Sequence, residues 1–449
     1  MWGTNGGIYF GRAADRTQGD HPNRSAEQIR YVGDRHLMTL GPNGSGKSRR
    51  VILPNIAMLK DWSIVVVDPK GTLARMTLPD RPGAIMLNPF DSFGLSSSGH
   101  NPVAALDHSS EDFPDDALGL AEAMIRIEGR EPHWAASAQD LVTALIMYSR
   151  LTQSDGGTLG HVRECLGRTY ADFRETITNM IAVAEKRDCP ELAIKAGRYA
   201  EISDESRELN SILSTALTQT RWLDSRPIKR DLAKSSTIDF GKLKREPTIV
   251  YLTLPARRLG THSTWLRVII ASIVQPLMKD TTKSKVPVLL ILDEYPALAD
   301  GGFAIIEKNM AMFREYGIKL WTVWQDLSQA EKLYGKGWES FVANAGVLQS
   351  FAPQDVKTAD YLSQRMPLTA MSTEAINRSL GGMMNDKSPA SHSSNTSLQG
   401  MPLMLPQHLR SMDEGYSVIY SHKAKNPIRS YFPYHLPGLE HVYKRDPSG

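Results

Sequence analysis

One eight-residue segment near the amino terminus constrains the fold of this chain more than any other feature. It matches the pattern G-x-x-x-x-G-K-[ST] and consists of Gly41, Pro42, Asn43, Gly44, Ser45, Gly46, Lys47 and Ser48. It follows a short apolar run, His36–Leu40, that is typical of a β-strand, and a helix is expected to begin near Ser48. Glycines let backbone N–H groups converge on a phosphate, and the amino terminus of a helix adds positive potential. The segment therefore predicts a phosphate-binding loop.

Two residues of this loop carry the chemistry that a nucleoside triphosphate needs. We expect the Lys47 ammonium group to bridge the β- and γ-phosphates of ATP, and the Ser48 hydroxyl to bind Mg²⁺. A second apolar run, Val288–Leu292, ends in two carboxylates. Asp293 is expected to hold the Mg²⁺ shell and Glu294 to polarise the attacking water, which predicts a Mg²⁺-dependent ATP hydrolase.

The end of a third apolar run supplies a polar side chain. The run Ile318–Trp324 ends at Gln325. An amide at this position is expected to contact the γ-phosphate or the attacking water and to report hydrolysis to the rest of the fold. A polar residue after a strand is ordinary by itself, so this hypothesis depends on the phosphate-binding loop and the two carboxylates.

The order of apolar patterns along the chain predicts the fold class. Short β-branched runs recur at His36–Leu40, Ser63–Val67, Thr248–Leu254, Val288–Leu292 and Lys319–Val323. Between the second and third runs, apolar residues recur at steps of three and four, as on one face of a helix. Strands on both sides of a helical block predict an α/β fold with an inserted all-α domain. The expected division is a first nucleotide-binding part at 1–106, the all-α insert at 107–234 and a second nucleotide-binding part at 235–449.

Composition excludes several other classes of protein. The 449 residues suffice for two or three domains, and 41% of them are apolar, as in a globular protein. Lys and Arg number 52 and Asp and Glu 49, a net charge of +3, so no large field points to nucleic acid. Two cysteines are too few for a disulfide framework. Because no signal-peptide pattern and no run of 18 apolar residues is present, we expect a soluble, intracellular protein. The segment Ala390–Gly400 is poor in apolar residues and is expected to be a loop.

Three further segments make the chain similar to a known family. They are the Pro-Asn pair of Val51–Asn55, the motif Asp68-Pro69-Lys70-Gly71 and the segment Met401–Arg410. Together with the phosphate-binding loop, the LLILDE strand and Gln325, they resemble the type IV secretion coupling proteins, the RecA-like ATPases of conjugation and effector-export systems. The resemblance extends from about Gly33 to about Tyr431. It implies a RecA-like P-loop ATPase domain with an inserted all-α domain, in agreement with the helical block.

The resemblance also implies how such a chain assembles and which residues act. Family members form rings of six subunits, with ATP between neighbours, a central channel for DNA and the helical domain at the cytoplasmic entrance. Matching positions carry over as nucleotide contacts (Lys47 and Ser48), as the Mg²⁺ and water carboxylates (Asp293 and Glu294) and as the sensor (Gln325).

Arg314 is the residue that would make activity depend on assembly. It lies eleven residues before Gln325, on the helix expected to precede that strand. The resemblance implies an arginine there that reaches the γ-phosphate of the neighbouring subunit. A guanidinium delivered in this way stabilises transition-state charge only when the ring is assembled.

Two features depart from the family's pattern. Family members commonly carry amino-terminal transmembrane helices, and none precedes Gly33 in this sequence. A truncated chain and a form that reaches the secretion channel through partners both fit that difference. The family often has an acid after the motif at 68–71, where this chain has Thr72. That position is therefore assigned only packing and subunit contact.

The resemblance implies a coupling ATPase that recruits DNA–protein complexes and drives their transfer into a secretion channel. The expected cofactors are ATP and Mg²⁺. The expected partners are single-stranded DNA or a nucleoprotein, relaxase or relaxosome proteins, channel proteins and, when assembled, further copies in a homo-hexamer. The expected location is cytoplasmic, at the inner membrane through partners or a missing amino-terminal segment. Two alternatives stay open: a substrate-docking adaptor that uses ATP only for assembly, and a double-stranded DNA translocase of the chromosome-partitioning type. Whether the cargo is DNA, protein or both also stays open.

Overall fold

A computed structural model describes most of the chain. It covers residues 6–14, 27–127, 132–167, 169–203, 206–234, 238–299, 302–378 and 392–446, with side chains for all of these except 372–378 and 392–397. The strands in this part of the chain are β1 (Ile8–Ala13), β2 (Gln28–Tyr31), β3 (His36–Leu40), β4 (Ser63–Val67), β5 (Ile85–Leu87), β6 (Ile249–Leu252), β7 (Val288–Leu292), β8 (Ile318–Trp324), β9 (Ala345–Ser350), β10 (Leu368–Arg378), β11 (His392–Pro402), β12 (Tyr416–Ser421) and β13 (Ile428–Tyr431).

Eleven of these strands form one sheet, in the order β2-β1-β13-β12-β9-β3-β8-β7-β4-β6-β5. The strands from β9 to β5 are parallel to one another. The other four extend the sheet beyond β9 in antiparallel fashion. At the centre, β3, β4, β7 and β8 are buried at every position, because helices cover both faces of the parallel part.

The predicted apolar runs correspond to central strands of this sheet. Three coincide with β3, β4 and β7, whereas β6 is shorter than its run and β8 is longer by one residue at each end. The sequence did not reveal the other strands of this sheet, of which β2, β5 and β13 have only three or four residues and β9 pairs directly with β3. It did not reveal β10 either. The loop expected at Ala390–Gly400 is wrong from His392 onward, because β11 pairs with β10 along its whole length. Backbone pairing does not require apolar side chains. Residues 390 and 391 lie outside the described part.

The α-helices of the described residues all follow β3, and seven of them succeed one another in one block without a strand between them. They are α1 (Leu53–Met58), α2 (Thr72–Thr77), α3 (Phe113–Met124), α4 (Pro132–Thr152), α5 (Leu159–Leu166), α6 (Tyr170–Lys186), α7 (Pro190–Glu201), α8 (Arg207–Thr220), α9 (Arg226–Leu232), α10 (Ala256–Lys279), α11 (Tyr295–Leu298), α12 (Ala304–Asn309), α13 (Leu327–Tyr334), α14 (Glu339–Asn344), α15 (Val356–Gln364), α16 (Pro406–Arg410) and α17 (Glu440–Tyr443). Helices α3–α9 follow one another between β5 and β6, which confirms an all-α insert in an α/β fold. The exact limits proposed for it, 107 and 234, stay a prediction.

Two apolar cores lie on opposite faces of the sheet. Strand β8 contributes to both, since Trp324 packs into one core and Trp321 into the other, as alternate directions along a strand require. The larger core continues from Leu290 in the sheet to Leu120 and Leu145 in the helical insert. The insert therefore shares its apolar packing with the sheet.

Candidate active site

The phosphate-binding loop leaves the central strand β3 at Leu40 and turns directly into a helix. Gly44 and Gly46 take the left-handed backbone conformation, with φ of +80° and +83°, which residues with a Cβ rarely adopt. The Gly41 N–H donates to the Trp324 carbonyl at 3.1 Å, so the start of the loop is tied to the end of β8. The glycines thus serve the turn between strand and helix.

The helix after the loop begins with a wide turn of the π type, Lys47–Ile52, before α1 continues it. Pro54 has no N–H to donate to a carbonyl one turn earlier, and a wide turn accommodates that missing bond. Asn55 is fully buried and donates to the carbonyls of Val51 at 2.8 Å and Tyr9 at 3.0 Å. Its Oδ1 accepts the Tyr9 N–H at 2.7 Å. The Pro-Asn pair therefore shapes this helix and holds it against β1.

The Lys47 side chain is buried at the start of that helix. Its Nζ donates to the carbonyls of Gly41 at 2.5 Å and Pro42 at 3.0 Å, both within the loop itself. Burial lowers the pKa of Lys47, and the carboxylates of Asp293 and Glu294 oppose that shift. The ammonium group thus lies between the loop and the two acidic residues predicted to act with it.

A hydrogen bond joins the loop to the first of these acids. The Ser48 hydroxyl donates to Oδ2 of Asp293 at 2.8 Å, although the two residues are 245 positions apart in the chain. Burial raises the pKa of Asp293, and the bond from Ser48 lowers it. A hydroxyl and a buried carboxylate are oxygen donors of the kind that Mg²⁺ takes beside phosphate and water oxygens. The pair fits this ion, whose charge would offset the cost of burying the carboxylate.

Glu294 follows in a backbone conformation that is uncommon for a residue with a Cβ. Its φ and ψ are +56° and +43°, in the left-handed region. Its N–H donates to Oδ1 of Asp293 at 3.1 Å, so the turn also restrains that carboxylate. Strained backbone of this kind concentrates where function requires a particular side-chain position.

The motif at 68–71 contributes a third carboxyl group, which the sequence patterns did not assign to the site. Asp68 is buried, and it follows β4, whose Val67 pairs with Leu292 of β7. Burial raises the pKa of Asp68 to about 6, while N–H groups of the following turn, including that of Ala74 at 2.9 Å, oppose the shift. Charge on Asp293 raises this pKa further. The carboxyl group thus organises the turn into α2 beside the predicted metal ligand.

Gln325 lies at the same end of the sheet, where the parallel strands terminate. It is half-buried at the end of β8, which runs between β3 and β7. Its backbone N–H donates to Oε1 of Gln329 at 3.2 Å. Because the three strands are parallel, the loop after Leu40, the acids after Leu292 and the amide after Trp324 converge at one edge. The sensor role of Gln325 stays a prediction.

Arg314 lies elsewhere, at the end of the sheet where the parallel strands begin. The helix expected to carry it is wrong in detail, since α12 ends at Asn309 and Arg314 occupies the turn before β8. Strand β8 has seven residues, so about 20 Å separate its two ends. The Nε of Arg314 lies 2.6 Å from Oδ2 of Asp34, which precedes β3. Within one subunit, Arg314 is therefore far from the loop that holds Lys47.

A buried histidine joins the segment before Arg314 to the central strands. His36, the first residue of β3, accepts the Leu320 N–H at Nδ1 (3.1 Å). That bond leaves the proton on Nε2, which donates to the Met310 carbonyl at 2.6 Å. Burial lowers the pKa of His36, so the neutral ring is favoured. The sequence patterns did not reveal this contact, since His36 is 274 and 284 positions away from its two partners.

The sequence of this chain matches a known protein family. Residues 3–432 match the family described as type IV secretory system conjugative DNA transfer. The chain belongs to this family. Among its curated relatives, conjugal transfer protein TraG of Rhizobium radiobacter is 26% identical over 411 residues, which cover 88% of this chain and 61% of the relative. Protein VirD4 of Agrobacterium fabrum is 24% identical over 398 residues, with 86% and 56% covered. The chain thus spans about three fifths of the length of these relatives.

Solved structures of other proteins have the same fold as this chain. The bacterial conjugative coupling protein TrwBdeltaN70 superposes with a TM-score of 0.67 at 15% identity, and the match covers 96% of this chain and 94% of that one. TrwB in complex with ADP and Mg²⁺ gives 0.65 at 15% identity and 97% coverage of both. VirB4 of Thermoanaerobacter pseudethanolicus gives 0.53 at 13%, with 98% and 100% covered. These likenesses confirm the RecA-like fold with its all-α domain.

Among the residues that the structure describes, no helix is both long enough and apolar enough to span a membrane.

Proposed function

We propose that this chain is the ATP-hydrolysing part of a conjugative coupling protein, which recruits DNA–protein complexes and drives their transfer into a secretion channel. The observation that carries the proposal is the bond between Ser48 and Asp293 at 2.8 Å. It joins a phosphate-binding loop to the acid that P-loop hydrolases use to order their metal. Family membership supports the transport role.

The proposed chemistry assigns one task to each side chain at this edge. Lys47 exchanges its bonds to the Gly41 and Pro42 carbonyls for the β- and γ-phosphates of ATP. Ser48 and Asp293 hold Mg²⁺, which when bound neutralises phosphate charge. Glu294 accepts a hydrogen bond from the attacking water and orients it towards the γ-phosphorus.

The position of Arg314 supports a ring in which subunits complete one another's sites. It lies at the edge of the sheet opposite its own loop, so it reaches a phosphate only on a neighbouring copy. A head-to-tail contact forms a ring when its rotation closes, and we propose a closed ring of six subunits with ATP between neighbours. Hydrolysis would then depend on assembly, since the guanidinium that stabilises transition-state charge comes from outside.

The proposed substrate is single-stranded DNA or a nucleoprotein, delivered by relaxase or relaxosome proteins. Secretion-channel proteins are the proposed partners at the exit, and the proposed site of action is the cytoplasmic side of the inner membrane. These assignments rest on membership of a conjugative DNA transfer family.

The test is the ATPase rate per subunit as a function of protein concentration, measured without DNA, with single-stranded DNA and with duplex DNA. We expect the rate to rise with protein concentration and with single-stranded DNA, and to fall about a thousandfold in Lys47→Ala. Lys332→Ala, which removes an exposed lysine from α13, is the matched control and should leave the rate unchanged. Absence of turnover at all concentrations would favour the adaptor that uses ATP only for assembly. Stimulation by duplex DNA alone would favour the double-stranded DNA translocase.

A further inference from the structure

The carboxyl-terminal segment places an exposed aromatic ring beside the phosphate-binding loop. Tyr434 is 51% exposed, more than any other aromatic side chain of the described residues. Its ring centroid lies 4.5 Å from Cζ of Arg49 and 5.0 Å from Cζ of Arg50. These two arginines follow Ser48 directly in the sequence. The ring therefore contacts the side chains of two residues in the first turn of the helix after the loop.

Several contacts hold this ring in place and leave about half of the residue exposed. Arg50 donates to the Phe432 carbonyl at 2.9 Å, which ties the helix after the loop to the segment that carries Tyr434. Pro433 and Pro437 flank the ring, and each restricts the backbone to a narrow range of φ. A side chain presented by so restricted a segment loses little conformational entropy when a ligand stacks on it.

Side chains other than Tyr434 anchor this carboxyl-terminal segment in the core. Leu436, Val442 and Tyr443 are buried and anchor the same segment to the sheet. Arg49, which also pairs with Asp446, lies over the ring of Tyr434. The segment is therefore anchored by its other side chains, and Tyr434 stays half exposed with two guanidinium groups over its ring.

We propose that Tyr434 is the platform on which the purine ring of the bound nucleotide stacks. This inference rests on the proposed binding of nucleotide at the loop. A nucleotide whose phosphates are held at the amino-terminal end of this helix can reach Tyr434 with its base, because the ring lies against Arg49 and Arg50, the two residues that follow Ser48. A flat π-face is what a purine binds, and stacking on it tolerates different bases. Tyr434 therefore supplies affinity for the base without selecting adenine over guanine.

The test is calorimetric measurement of binding to the full chain, with Mg²⁺ present and with ADP, GDP and inorganic tripolyphosphate as probes. In Tyr434→Ala we expect the Kd for ADP and for GDP to rise about tenfold, and that for tripolyphosphate to change less than about twofold. Tyr434→Trp should keep the affinity of the wild type, because it keeps an aromatic face. Tyr170→Ala, which removes another exposed tyrosine from helix α6 of the insert, is the matched control and should bind all three probes normally.

Three results would overturn the proposal. Unchanged ADP affinity in Tyr434→Ala would make the ring an ordinary surface residue. An equal loss for ADP and tripolyphosphate would mean that the substitution distorts the phosphate site. A wild-type protein that binds none of the probes would refute the proposed nucleotide site itself, and the stacking role with it.

Discussion

The guanidinium of Arg314 lies 2.6 Å from the carboxylate of Asp34, at the edge of the sheet opposite the phosphate-binding loop. Both side chains are more than half exposed, at 54% and 58%. Exposed pairs of this kind contribute only about 0.2–1 kcal/mol to stability. In the proposed ring, Arg314 can therefore leave Asp34 for a phosphate on a neighbouring subunit at little cost.

Mixing two inactive variants tests this arrangement directly. Arg314→Ala and Lys47→Ala should each lower the ATPase rate about a thousandfold. When the two are mixed in equal amounts and assembled together, about a quarter of the head-to-tail interfaces pair an intact Lys47 with an intact Arg314. The mixture should therefore recover about a quarter of the wild-type rate, measured by phosphate release.

The control for this experiment is each variant assembled with itself at the same total concentration. Asp34→Asn should keep at least the wild-type rate, since it only releases Arg314. A mixture no more active than its components would mean that Arg314 does not act on a neighbour's nucleotide.

The left-handed backbone of Glu294 predicts a conflict between stability and activity. Replacing this residue by glycine removes the cost of a Cβ at φ +56°, about 1 kcal/mol, whereas Glu294→Gln keeps that cost. Both variants should lose hydrolysis, because neither orients water with a carboxylate. Urea unfolding should find Glu294→Gly more stable than Glu294→Gln by about 1 kcal/mol. Equal stability of the two variants would mean that the conformation carries no strain.

Replacing Asp68 by a neutral residue should stabilise the folded protein, and the gain should depend on pH. Its pKa is raised to about 6 by burial, above the usual value near 3.8, so the folded state binds a proton more tightly than the unfolded chain. Stability contributed by the neutral form is therefore lost as pH rises from about 4 to 6. Asp68→Asn should match the wild type at pH 4 and exceed it by about 2–3 kcal/mol at pH 7 in urea unfolding. Titrating groups that do not interact with Asp68 cancel in the difference. An Asn variant that is less stable at pH 7 would reverse the sign and refute the burial argument.

Asn55 should be needed for stability although it lies beside the site. Asn55→Ala leaves the backbone N–H and carbonyl of Tyr9 buried without their partner, at a cost of about 3 kcal/mol. Asn344→Ala is the control, because among the described residues that amide bonds only to the Ser340 carbonyl one turn earlier in α14, and its loss should be below about 1 kcal/mol. Thermal unfolding of the two variants measures the difference. An equal decrease in the free energy of unfolding for both variants would show that the bonds to Tyr9 do not contribute more than an ordinary exposed hydrogen bond.

The central strands and the phosphate-binding loop were predictable because their signals are local. A parallel strand buried on both faces is a continuous apolar run, and β3, β4 and β7 each have that character. The loop is likewise written in consecutive residues, since its glycines and Lys47 serve one turn. Strands near the edges lack this signal: β5 has three residues, and β13 is only partly buried.

By itself, then, the sequence determined the phosphate-binding loop, the acids after β7 and the class of fold around them. Tertiary structure alone decided that Asp68 lies beside Asp293, that Tyr434 lies over Arg49, and that Arg314 lies at the far edge from Lys47. The physical reason is the order of strands in the sheet. That order follows from pairing between segments hundreds of residues apart, and no local periodicity encodes which strands become neighbours or at which edge a connecting turn is left.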